Sequence, residues 1–325
     1  MASAQLKLVF GAAGVSTGAS YSTPEKIDEL FETLDSEGIN QLDTAQIYGD
    51  SEEQLGKVKA HSRFIIDTKH GGGFVPGSST REQVVARGLE SFKKLGADKV
   101  NIFYIHAPDA KLPIADTLAG IDELYRAGKF EKFGLSNFSP AEVEEVISIS
   151  KEKGYVLPTV YQGNYNAVAR RVERDLFPVL RKNNIAFYAY SPIAGGFLTK
   201  TSAQLTEGNG GTGRWSKETA IGKLYHNIYN KPTFLQALDK WGKIAEEAGV
   251  SKAELAYRWV AYHSYFDSKS DALVIGASSV AQLKQTVAGL KKGPLPDAIV
   301  KQVADIWDIV EEEALTNNYD VLRAD

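Results

Sequence analysis

Four polar residues of different chemistry stand at or just beyond the ends of short apolar runs. Asp43 and Tyr48 lie in GINQLDTAQIYG, Lys69 follows FIIDT, and His106 follows VNIFYI. An acid, a phenol, an amine and an imidazole gathered in one place can protonate a carbonyl oxygen. A free tyrosine, with a pKa of about 10, is a poor acid at neutral pH. A neighbouring ammonium favours its phenolate and corrects that. Lys69 is the candidate ammonium, and Asp43 would keep it charged. His106 would donate a hydrogen bond that orients the carbonyl, while Tyr48 gives the proton. This is the chemistry of an aldehyde or ketone reductase. Taken singly, each residue has a plainer role: Asp43 a helix cap, Tyr48 a packing residue, Lys69 a surface lysine, His106 a structural histidine. The functional reading depends on their meeting.

Strands that end together would make them meet. Apolar runs at Leu6–Phe10, Gln41–Asp43, Phe64–Thr68, Val100–Ile105, Phe133–Ser136, Val160–Gln162, Ala186–Ala189 and Ala272–Ile275 alternate with amphipathic stretches. Helix starts are marked at Thr23-Pro24, Thr80 and Ser139-Pro140. Eight short apolar strands, each followed by a helix, predict an α/β fold, the (β/α)8 TIM barrel, whose active sites lie at the C-terminal strand ends. A doubly wound open sheet fits less well. GAAGVSTG after the first run is not the dinucleotide fingerprint, and no acid stands at the required distance. A single domain over 1–325 is expected. It would carry a long loop after strand seven, 194–231, placed to cover a cofactor, and an extra helix from Pro296.

Bulk composition narrows the partners. The net charge is -4 and the sequence has no basic patch or tail for nucleic acid, and the lack of cysteine excludes thiolate chemistry and disulfides. No window reaches the roughly 18 apolar residues of a membrane span, and the first residues lack a signal-peptide layout. A cytoplasmic protein acting on a small molecule is the expectation. No metal site is expected, because the histidines lack metal-binding spacing. His70, before three glycines, reads as part of a flexible rim, and His61, His226 and His263 as residues without partners. A GxSxG elbow and a convincing carboxylate pair for glycoside hydrolysis are both missing.

A hydride donor is implied by the chemistry, and the later strand ends offer its contacts. Ser136 and Asn137 in GLSNF and Gln162 in VYQGNYN suit a carboxamide, since amides both donate and accept. Tyr190 can stack on a nicotinamide ring, with Ser191 beside it, and Gly195 can approach a pyrophosphate. Gly276 and Ser278 precede a helix whose N-terminus suits phosphate. Core packing for Tyr190, a turn for Asn137 and a plain cap for GASS are the alternatives.

DTAQIYG, the TK after strand three, the strand-end histidine, GLSNF, YQGNYN and YSPIAGG together resemble the aldo-keto reductase superfamily over nearly the full chain. IHAPD, AGGFLTK and IGASSVAQL are most similar to its aflatoxin aldehyde reductase subfamily. The resemblance implies Tyr48 as general acid beside Asp43, Lys69 and His106. It also implies NADPH bound across the barrel mouth by Ser136, Asn137, Gln162 and Tyr190, and a homodimer by analogy. Arg323 matches an arginine that meets substrate carboxylates, alongside Tyr48 and His106 as substrate contacts. Many relatives hold the 2'-phosphate with a cation after strand eight. Here Ser278, Gln282 and Gln285 occupy that region, leaving Lys200 or Arg214 to supply charge and admitting NADH as a second donor. The same residues would serve an alcohol or sugar dehydrogenase running in reverse. A slow, redox-sensing cofactor-binding protein on the same barrel is the reading from a different class.

Overall fold

The computed structural model describes residues 6–206 and 215–323. Eight strands close into a barrel in chain order: β1 (Lys7–Gly11), β2 (Gln41–Asp43), β3 (Ile65–His70), β4 (Val100–Ile105), β5 (Phe130–Ser136), β6 (Pro158–Asn164), β7 (Ala186–Tyr190) and β8 (Ala272–Ile275). Pairing is parallel, with Val9 against Val274, Asp43 against Asp67 and Ser136 against Gln162. This is the expected (β/α)8 architecture. β5 starts at Phe130 rather than Phe133, because its exposed Glu131 and Lys132 interrupt the apolar pattern that marks the rest of the strand.

The helix starts follow their caps. Thr80 and Ser139 side chains each accept from the backbone three residues on, and their own backbone N–H groups donate to the side chains of Gln83 and Glu142. Each such cap contributes about 1 kcal/mol and fixes where the chain leaves the barrel rim.

The chain divides into two compact units. The first runs to Gly163 and takes in Val179–Tyr188 and Ser268–Lys284. Its interior is built from strand residues such as Phe10, Leu42, Phe103, Tyr104, Phe133 and Phe187, all buried. The second comprises Asn164–Pro178, Ala189–Asp267 and the chain from Gln285. There Arg170 lies between Trp259 and Trp307, 5.1 and 5.8 Å from their ring centroids, with its charge held by Glu173. The long connection after β7 is partly helical in its described residues. Ala194–Thr199 forms 3-10 turns, and Ser202–Thr206 and Ala220–Tyr229 form helices. Thr219 caps the last of these, and Trp215 stacks on Tyr225 at 5.4 Å. The tail helix Asp297–Val310 buries Ile299, Val303, Ile306 and Val310. No helix among the described residues is long and apolar enough to cross a membrane.

Candidate active site

The segment after β2 is shaped by the strand beside it. Thr44 N and Gln46 N donate to Asp67 O and Lys69 O, which prolongs the pairing beyond the strand. The chain then turns, Tyr48 N donating to Ala45 O at 3.0 Å. Ser51 Oγ donates to Ala12 O at 3.0 Å, and Asp50 accepts from Ser16, Thr17 and Gln54. These bonds tie the segment bearing Tyr48 to the loop after β1.

A second set of bonds joins β3 to β4. His106 N donates to His70 O, and Gly73 N to Ala107 O. Gly72 makes this approach possible. Its φ is +54°, and a Cβ there would lie 2.1 Å from Ala107 O. His106 is thereby held beside the end of β3.

At the centre, Lys69 Nζ donates to Asp43 Oδ2 at 2.6 Å and to Thr44 O at 2.9 Å, with Lys69 fully buried. Gln162 Nε2 donates to Asp43 Oδ1 at 2.9 Å. The ammonium lies 5.1 Å from the Tyr48 ring centroid and 5.6 Å from that of Tyr104. Tyr104 packs against bare backbone: a Cβ on Gly134 would come within 2.2 Å of its ring. The His106 ring stands edge-on to Tyr48 at 5.6 Å and to Phe74 at 4.9 Å.

Burial works against the Lys69 charge, but Asp43, Tyr48 and Asp67 outweigh it and hold the ammonium above its usual range. Burial pushes His106 well below the ordinary histidine range, and the Lys69 charge and His70 add to this. His106 is therefore neutral at neutral pH and keeps one ring N–H to donate. Its Nδ1 is buried without a hydrogen-bond partner among the described residues.

Ser136, Asn137 and Gln162 are buried at the ends of β5 and β6. Asn137, at φ +60°, donates to His106 O at 2.8 Å and to Ser136 Oγ at 3.1 Å. The two amides and the hydroxyl are thus in one cluster with the strand-end histidine and acid. Their mixed donor and acceptor chemistry fits a nicotinamide carboxamide.

In the second unit, Tyr190 O accepts from Tyr165 N at 3.2 Å, and Ser191 O accepts from Ala194 N and Asn166 Nδ2. Gly195 has φ +64° and accepts from Trp215 Nε1 at 2.9 Å. Lys200 Nζ lies 5.6 Å from the Trp215 ring. In the first unit, exposed Gly276 leads to Ser278, whose N and Oγ both reach Gln282 Oε1. Ser279 Oγ accepts from Gln282 N at 3.2 Å and caps the start of helix Val280–Leu290. Gln285 is exposed on that helix. Arg214 and the Arg323 side chain lie outside the described residues.

Three histidines depart from expectation. His70 is fully buried, its Nε2 3.1 Å from Ser79 Oγ, because the register of β3 with β4 carries it inside rather than onto a rim. His226 Nε2 lies 3.1 Å from Trp215 O, and His263 Nε2 accepts from Leu295 N at 2.8 Å. The partners are a backbone carbonyl and the Asn230 side chain for His226, and a backbone amide for His263. Asp67, Gln41 and Tyr104 also stand in the barrel interior, unmarked by any motif. Their spacing of two from Lys69, Asp43 and His106 is the one signal that puts them on the same strand faces.

A parallel barrel with an acid, a lysine, a tyrosine and a neutral histidine at its strand ends defines a class of carbonyl-processing enzyme. Residues 7–308 match the model of the aldo/keto reductase family, and the chain belongs to that family. It is an oxidoreductase. The chain is 38% identical over 295 residues to "Oxidoreductase sirO" of Leptosphaeria maculans, covering 90% of this chain and 88% of the relative. It is 37% identical over 290 residues to "Aflatoxin B1 aldehyde reductase member 2" of Rattus norvegicus, with 85% and 78% covered. It is 36% identical over 290 residues to "Aldo-keto reductase family 7 member A3" of Homo sapiens, with 85% and 87% covered.

Proposed function

We propose that this protein reduces aldehydes to alcohols with NADPH, taking the proton from Tyr48. The observation that carries this reading is the buried Lys69–Asp43 pair at 2.6 Å, with its ammonium beside the Tyr48 ring. A phenol that gives up its proton leaves a phenolate, and the fixed positive charge of Lys69 stabilises that product where water is scarce. Asp43 holds the lysine in place and charged. Neutral His106 donates an N–H to the substrate oxygen and so aligns it with the phenol. When bound, the dihydronicotinamide supplies the hydride. Asn137, Gln162 and Ser136 are the residues suited to hold its carboxamide, with Tyr190 as the stacking ring. The segment from Gly276 to Gln282 offers hydroxyls and a helix start to phosphate. The proposed substrates are aldehydes that carry a nearby carboxylate, met by Arg323. The names of the rat and human relatives accord with this class of reaction.

The test follows NADPH oxidation against succinic semialdehyde and a neutral aromatic aldehyde. Tyr48→Phe should bind NADPH nearly as the parent does while kcat falls by about 10²-fold or more. Turnover at the parental rate by this variant would refute the assignment.

A further inference from the structure

Beneath the Asp43–Lys69 pair lies a second carboxyl that the mechanism does not use. Asp67 is fully buried in β3, two residues before Lys69 and in register with Asp43 on β2. Side chains two apart on a strand share a face. The barrel interior thus brings two carboxyls to one buried ammonium. Oδ1 of Asp67 accepts from Asn101 Nδ2 at 2.8 Å and from Ile102 N at 3.1 Å, while Oδ2 meets Gln41 Nε2. One atom of this contact is left over. Gln41 Oε1 is buried and has no hydrogen-bond partner among the described residues. It is an acceptor, and a carboxylate has no donor to give it. A carboxylic acid does.

We propose that Asp67 is a buried proton store: it carries a proton in the resting enzyme, with Gln41 as its partner, and releases that proton as the pH rises. The charge it then gains is felt by Lys69, which makes Asp67 a positioning residue for the Lys69–Tyr48 couple. Burial, and then repulsion from Asp43, push the Asp67 carboxyl up from its ordinary 3.8 to about 7. Hydrogen bonds from Gln41 and Asn101 and the Lys69 charge oppose that shift. On other strands, the exposed Lys7 of β1 interacts with Asp67, and Tyr104 on β4 and Tyr188 on β7 feel its charge. An ionised Asp67 draws on the Lys69 charge that would otherwise favour the Tyr48 phenolate. Turnover should therefore fall as Asp67 ionises.

Infrared difference spectra of the wild-type protein between about pH 6 and about pH 9 test this without any assay of turnover. The expected result is a protonated-carboxyl band that disappears with a midpoint near pH 7, is absent from Asp67→Asn, and persists in Glu52→Gln. Among the described residues, the last variant removes the other buried carboxyl that burial pushes upward. Between about pH 4 and pH 7 the folded-to-unfolded ratio of the wild type should drop about tenfold per pH unit relative to Asp67→Asn. A wild-type spectrum without the band, or a band that survives in Asp67→Asn, overturns the proposal. Should Asp67→Asn fail to fold, the band in wild type and in Glu52→Gln decides. The link to turnover rests on Tyr48 as proton donor, and kcat against pH tests it separately. A wild-type fall through about pH 7 that Asp67→Asn lacks supports the link, whereas superimposable profiles overturn it.

Discussion

The stability losses on removing the two charges of the Lys69–Asp43 pair should not add. Lys69 is fully buried, and its ammonium has Asp43 Oδ2 at 2.6 Å and the carbonyl of Thr44 at 2.9 Å. At an effective dielectric constant of about 20, a pair so close attracts by roughly 6 kcal/mol before desolvation is charged against it. Asp43→Asn keeps the shape and leaves Gln162 a carbonyl to meet, but it strands the ammonium. Truncating one partner of a buried pair costs about 3–5 kcal/mol. Lys69→Met strands the carboxylate in turn, at a similar cost. The double variant buries neither charge, so its loss should fall short of the sum of the single losses by about 3 kcal/mol. Urea unfolding of the four proteins, followed by circular dichroism at neutral pH, gives the coupling directly, with equal slopes marking a comparable unfolding event. Additivity within about 0.5 kcal/mol would refute the pair as an energetic unit. The same cycle bears on Asp67, since Asp43 is among the causes that push its carboxyl up. In Asp43→Asn, Asp67 should ionise at lower pH than in the parent.

Three further outcomes are expected. Gly134→Ala places a methyl 2.2 Å from the Tyr104 ring, which must shift. The expected loss is about 1–3 kcal/mol in urea, with turnover reduced because Tyr104 flanks Lys69; a parental midpoint would show that the ring gives way freely. His70, held by burial at about 4 instead of 6.5, stabilises the fold while neutral. Its contribution is present above about pH 6.5 and is lost as pH falls towards 4, reaching roughly 3 kcal/mol. His70→Gln should flatten that part of the acid stability curve, and an unchanged curve would count against it. Arg323→Ala should raise KM for succinic semialdehyde at least tenfold while sparing neutral aromatic aldehydes, and equal effects on both would dismiss a carboxylate clamp.

What was legible in the chain depended on whether the cause was local. The strands announce themselves because parallel strands covered on both faces must be apolar throughout, and the helix starts because Thr80 and Ser139 satisfy backbone donors within three residues. Asp43, Tyr48, Lys69 and His106 could be named because each ends an apolar run, and barrel closure brings such ends together. Partners that act across the barrel leave no such mark. His70 beside three glycines looks like a rim residue until its strand pairs with β4 and carries it inward to Ser79. The helix Ala220–Tyr229 buries Gly222, Tyr225, Ile228 and Tyr229 but exposes Ile221, so its apolar stripe is blurred by one residue. Asp67 is the sharpest case. In the sequence it is a polar interruption of an apolar strand, and period two ties it only to Lys69. That it also faces Lys7, Tyr104 and Tyr188 follows from closure alone. A buried carboxyl surrounded from several strands cannot shed its desolvation cost by moving. Hydrogen bonds from Gln41 and Asn101 and the charge of Lys69, itself bound to Asp43 at 2.6 Å, offset part of that cost, while burial and Asp43 outweigh them and favour the proton on Asp67.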